Sequence, residues 1–134
     1  KIMIKESRHL LVRELRSDAT LFGLVSGRIY PQDLATLENP VYPAVTISLN
    51  GGIPDDYNQD LAEANVVIQS YSTKSYNQCW DIFEKVKSAL VFGIFTDASV
   101  RIRMTESSTP IERYDQIGRV YIVTSSWNMQ TIGV

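Results

Sequence analysis

At 134 residues the chain fits one domain, spanning 1–134, and can bury roughly two-thirds of the surface its unfolded form exposes. Thirteen basic against fifteen acidic side chains leave a formal charge of −2, which argues against gripping nucleic acid through the overall field; one cysteine and one histidine rule out a disulfide framework and zinc-ligand spacing. No apolar run approaches the ~20 residues of a membrane span and no signal-peptide layout is visible, so the expectation is a soluble protein of a reducing compartment, with its natural start upstream of Lys1.

Ile4, Leu11, Val12 and Leu15 fall on one side of a helical wheel and predict a helix over about 5–16. Ser17 is the expected N-cap of a second short helical piece whose buried edge is Leu21, Leu24 and Val25, with Gly27 ending it. Arg28 to Tyr30 reads as a short extended segment stopped by Pro31. Asn39-Pro40 and Tyr42-Pro43 then mark an ordered, non-helical connection.

Val45, Ile47 and Leu49 alternate with polar neighbours as a strand over 44–49. Asn50-Gly51-Gly52 opens what reads as a long polar loop to about Asp60. Ala64, Val66, Ile68 and Ser70 alternate with Glu63, Asn65, Val67, Gln69 and Tyr71, the period-two pattern of a sheet with one drier face. Ser72 or Thr73 caps the next helix, in which Tyr76, Cys79, Phe83, Val86 and Leu90 form the apolar stripe, widened by Trp80, Ile82 and Ala89. Asp81 with Lys85 and Glu84 with Lys87 are spaced for surface pairs. Gly93 marks the exit. Val100, Ile102 and Met104 alternate with Arg101 and Arg103 as a strand, 106–118 reads as a polar connection, and 119–129 as a last strand. In that strand Val120, Ile122 and Thr124 share one face, and Tyr121, Val123 and Trp127 the other. The expected fold is α+β: a mainly antiparallel sheet of four to five strands, with an N-terminal helix and a long central helix packed on one face.

Few residues carry chemistry. Asp56 to Asp60 has acidic or amide side chains at every second position, like the opening of a calcium loop, but Leu61 stands where the loop needs glycine and Val67 where a bidentate Glu closes the site. His9 has no nucleophile motif to serve, and Gly51-Gly52 lacks the strand-turn-helix setting of a nucleotide site. No enzyme, cofactor or metal is expected. Cys79 reads as a core thiol. Arg101 and Arg103 share one strand face, either a solvated surface or a contact surface for another subunit. Tyr71, Tyr121 and Trp127, if they share the outward sheet face, make it too aromatic for a water-exposed surface and favour the second reading. An RNA-binding sheet also uses aromatics, but its basic, glycine-bearing strand signature is absent.

Four segments taken in order resemble the tail completion proteins of long-tailed bacteriophages, also called tail terminators or tail-to-head joining proteins. They are Leu15 to Pro31, closing on Gly27-Arg28-Ile29-Tyr30-Pro31; Tyr42-Pro43-Ala44-Val45-Thr46-Ile47; Val66 to Ser72 with the helix to Leu90; and Tyr114-Asp115-Gln116-Ile117-Gly118-Arg119-Val120-Tyr121-Ile122. The resemblance implies a ring of subunits, six in number, on the finished tail tube. Such a ring terminates polymerisation, offers a joining surface to the head-side neck or connector protein, and lets DNA pass without sequence-specific binding. The protein would then reside in the virion, at the head–tail junction, after assembly in the host cytoplasm. Six copies would carry a formal charge of about −12. Asp55, Asp56 and Asp60 are the candidates to face the lumen or the tail tube, and Arg101, Arg103, Tyr121 and Trp127 the candidates for the subunit boundary. Another neck or head-completion protein of the same particle is the alternative, followed by a ferredoxin-like RNA-binding or regulatory module.

Overall fold

The computed structural model describes residues 4–31, 40–54, 61–90, 94–96 and 100–133. The first helix, α1 (Ile4–Ser17), buries Leu11, Val12 and Leu15 as its periodicity requires, together with Leu10. At its end the Ser17 hydroxyl donates back to the Glu14 carbonyl at 2.8 Å, so Ser17 closes α1 rather than opening the next helix. The cap of α2 (Ala19–Val25) is Asp18, whose carboxylate accepts from the Leu21 N–H at 2.9 Å. Leu21 and Val25 are buried, but Leu24, expected on the buried edge, is exposed with Phe22. Asp18→Ala should therefore cost about 1 kcal/mol and Ser17→Ala close to nothing, read from urea midpoints; the reverse order would reassign the cap.

Two left-handed residues, Ser26 and Gly27, turn the chain out of α2, with φ of 51° and 75°. A Cβ at Gly27 would lie 2.8 Å from the Phe22 ring, so glycine answers both the backbone and the space there. The next residues are held by backbone and side chain alike. Arg28 Nε donates to the Pro43 carbonyl at 2.8 Å, and β1 (Ile29–Tyr30) pairs in parallel with β2 (Ala44–Pro54), Ile29 opposite Val45. An Arg16 guanidinium N–H reaches the Ile29 carbonyl at 2.6 Å and ties α1 to the same strand.

The remaining strands are β3 (Leu61–Ser72), β4 (Ile94–Thr96), β5 (Val100–Glu106), β6 (Ile111–Asp115) and β7 (Val120–Gly133), with α3 (Tyr76–Leu90) between β3 and β4. The sheet order is β1-β2-β3-β7-β5-β4, with β6 also paired to β7, and every pair but β1–β2 is antiparallel. The described residues thus form a mixed α+β fold with seven strands, more than the expected four to five, and three helices: the N-terminal and central helices and, between α1 and β1, the short second helical piece. β4 is too short to show an alternation, and β6 lies within the stretch read as a polar connection. β2 does not stop at Leu49: it slips register between Leu49 and Gly52, then goes on pairing with β3 to Pro54.

Helix α3 is capped by Ser75, whose hydroxyl accepts from the Gln78 N–H at 3.2 Å. Ser72, an expected cap, instead shapes the turn before it, accepting from the Lys74 and Ser75 N–H groups and bonding to Gln78. The α3 stripe of Cys79, Ile82, Phe83, Val86 and Leu90 is buried as expected. Lys87 points to β5, its Nζ 3.6 Å from Glu106, not to Glu84.

One hydrophobic core fills the space between the helices and one sheet face, drawing Leu11, Leu15, Leu21, Val45, Ile47, Val66, Ile68, Ile102, Val123, Trp127 and Met129 into contact with the α3 stripe. A smaller cluster covers the opposite face at one end: Ala44, Tyr71, Val120 and Ile122, with Tyr30 and Tyr42 packed on it.

Candidate interaction surfaces

Side-chain alternation decides where each candidate residue stands. On β5, Val100, Ile102 and Met104 take the core face, so Arg101 and Arg103 stand exposed on the outer face. Their register partners are Ile132 and Thr96 for Arg101, and Gln130 and Ile94 for Arg103. Neither guanidinium makes a hydrogen bond or ion pair among the described residues. Beside them Gln130 donates to Glu63 at 3.1 Å, and Ile94 is exposed. This is a surface with two cations close together, uncompensated among the described residues.

Trp127 stands elsewhere. It is 3% exposed, inside the main core, with its Nε1 donating to the Ser125 hydroxyl at 3.0 Å. Its expected place at a subunit boundary is corrected by that burial: the helices, not a neighbouring chain, cover it. The expected outward aromatic face is corrected too, because Tyr71 pairs with Ile122 and lies on the face opposite to Tyr121 and Trp127. Tyr71 belongs to a polar chain on the outer face, where Thr46 reaches its hydroxyl at 3.2 Å and that hydroxyl bonds to Gln69. Asp55, Asp56 and Asp60, and with them the calcium-like stretch 56–60, lie outside the described residues.

Tyr121 is half-buried at the centre of an aromatic patch that the sequence reading did not assemble. Tyr76 meets it edge-on and Tyr114 at a tilt, both with ring centroids 4.9 Å away. Trp80 stands edge-on to Phe83 and donates its indole N–H to Glu112 at 2.7 Å. The elements explain the convergence: Tyr76 and Trp80 are one turn apart on α3, while Glu112 and Tyr114 pair with Val123 and Tyr121 across the β6–β7 hairpin. Burial, and after it the Glu112 carboxylate, push the Tyr76 phenol above its usual range. The hairpin also shows bare apolar side chains, Ile111 and Ile117, the latter 98% exposed at the tip. The available signal was the short alternation Ile111-Glu112-Arg113-Tyr114, hidden because both of its faces are exposed.

Cys79 is buried, its Sγ donating to the Tyr121 carbonyl at 3.2 Å, and burial pushes the thiol up to about 11. Its alkylation at neutral pH should follow global unfolding, so labelling at the native amide-exchange rate of a surface loop would contradict the burial. His9 is exposed on α1. No group of three or more His, Cys, Asp or Glu among the described residues could hold a metal ion, and no described helix is long and apolar enough to cross a membrane.

No protein-family model matches the chain, and no curated protein matches it in sequence. Among solved structures it is similar to a chain of the virion of a native gene transfer agent particle, with a TM-score of 0.72 over 94% of each chain at 16% sequence identity. The likeness is one of fold. It extends over nearly the whole length of both chains, so it covers the helical layer and the sheet together.

The four segments that carry the sequence resemblance meet in this fold. Arg28 holds Pro43, Ile29 pairs with Val45, the Tyr42 ring packs edge-on against Tyr71 at 6.3 Å, and Tyr71 pairs with Ile122. Asp115 lies close enough to Tyr42 that its charge, after burial, helps push that phenol up. These motif residues are the joints of the sheet's β1–β2–β3–β7 end.

Proposed function

We propose that this chain is a structural virion protein that forms a ring on the end of a phage-type tail tube, terminates its growth and presents the joining surface for the head. The observation that carries the reading is the whole-length likeness of fold to a chain of a gene transfer agent virion. The ordered set of four segments, each built into one corner of the sheet, supports it. On this reading the protein acts through surfaces rather than chemistry, and its partners are further copies of itself, the tube protein and a head-side connector.

The test is to let the tube protein of the same particle polymerise with and without the purified chain, and to image the products by negative stain. Tubes of limited length bearing a ring at one end are the expected result. Unrestrained tubes with bare ends, alongside binding of the chain to the head's portal complex, would overturn tail termination in favour of a head-completion role.

A further inference from the structure

The molecule carries two patches that answer each other chemically and that one chain cannot bring together. The first is the rim formed by Tyr76, Trp80, Tyr114 and Glu112 on the helix side of the sheet: partly exposed aromatic rings beside a carboxylate that no cation among the described residues neutralises. Ring faces are the negative ends of aromatic quadrupoles, and a carboxylate among them makes the site selective for a cation, guanidinium above all because it stacks and donates at once. The second patch is Arg101 and Arg103, two exposed guanidinium groups on one strand that pair with none of the described residues. Side-chain parity fixes their separation. Glu112 and Tyr114 share the sheet face of Val123 and Tyr121, whereas Arg103 shares the opposite face with Gln130, and Arg101, two residues along β5, lies on that same side.

From this we infer that the aromatic–acidic rim is the docking site for Arg101 and Arg103 of a second copy of the chain. Donor and acceptor differ, so the contact is head-to-tail; repeated, it generates a closed ring or a filament according to the rotation per step. A contact made of Arg with Tyr and Trp has the composition that protein interfaces favour. The inference rests on the ring reading above and names the residues that would join its subunits.

The experiment uses the full chain in light scattering and sedimentation over a micromolar-to-millimolar series, with circular dichroism to verify folding. Arg101→Glu/Arg103→Glu removes the donor patch, and Glu112→Arg reverses the acceptor. Each variant alone should weaken self-association by roughly tenfold or more. Mixed together, the two should associate again, because one variant keeps the rim and the other keeps the arginines, and the two reversed patches carry opposite charges. Wild-type assembly retained by both variants overturns the contact while leaving a ring built on other surfaces standing. A wild-type chain that stays monomeric throughout the series also overturns it, and tube capping then judges the tail reading by itself. Variants that fail alone and stay monomeric when mixed overturn the pairing of these two patches.

Discussion

Trp127→Ala is expected to lower folding stability by about 3–5 kcal/mol, a large share of what a domain of this size has to lose. The indole is 3% exposed and lies among the core side chains beneath the helices. It also anchors a short polar relay: Trp127 Nε1 donates to Ser125 Oγ at 3.0 Å, and Ser125 Oγ donates to the Ile68 carbonyl of the neighbouring strand at 3.0 Å. Truncation therefore opens a cavity at the middle of the sheet and strips a buried hydroxyl of its donor. Trp127→Phe keeps most of the volume but not the N–H, and should cost about 1–3 kcal/mol. Urea denaturation followed by circular dichroism measures both. A loss below about 1 kcal/mol on truncation, together with failure to assemble, would return Trp127 to the subunit boundary.

That residue also shows what the sequence could and could not convey. Period-two alternation correctly grouped Tyr121, Val123 and Trp127 on one face of the last strand, and Val120 with Ile122 on the other. It carried no information about which face the helices cover. In β7 the question has no single answer, since α3 lies over one face while Tyr42 and Tyr71 pack on the other at its start. For β3 the polarity was one-sided, with Ala64, Val66 and Ile68 against Glu63 and Asn65, and there the drier face is the buried one.

The misses have local physical causes. β6 is exposed on both faces, so Ile111 to Asp115 had no dry side to betray it, and β4 has three residues. Asn50-Gly51-Gly52 has the composition of a turn, yet in an antiparallel pair those residues also serve a register slip, and long-range pairing overrode the local signal. Ser17 and Asp18 are both good caps by type; which one acts depends on where α1 ends. The surface patch of Tyr76, Trp80, Glu112 and Tyr114 joins positions more than 30 residues apart, which only the β6–β7 pairing and the α3 register bring together.

Stability should fall as pH rises from about 9 to about 11, and Cys79 should be the main reason below pH 10. The Cys79 thiol is buried between α3 and β7, which pushes it from 9.0 up to about 11, with the Glu112 charge adding to the effect and backbone hydrogen bonds opposing it. The unfolded chain releases this proton first. Between the two values the native state binds more protons than the unfolded one, so raising the pH favours unfolding, and the stability present below pH 9 is lost on passing the folded value. Two pH units on an unscreened group correspond to at most about 3 kcal/mol. Screening through the half-exposed rings around the thiol brings the expected loss to about 1–2 kcal/mol. Tyr42 and Tyr76, both raised mainly by burial, add a second decline that begins only above pH 10. Urea midpoints of wild type and Cys79→Ala at pH 8, 9, 9.5 and 10 separate these contributions. The variant should start less stable through lost packing, yet hold a nearly flat profile to pH 10 while the wild type declines. Parallel profiles over that interval would mean that the thiol ionises in the folded protein as freely as in the unfolded chain, and that α3 does not seal Cys79 against β7.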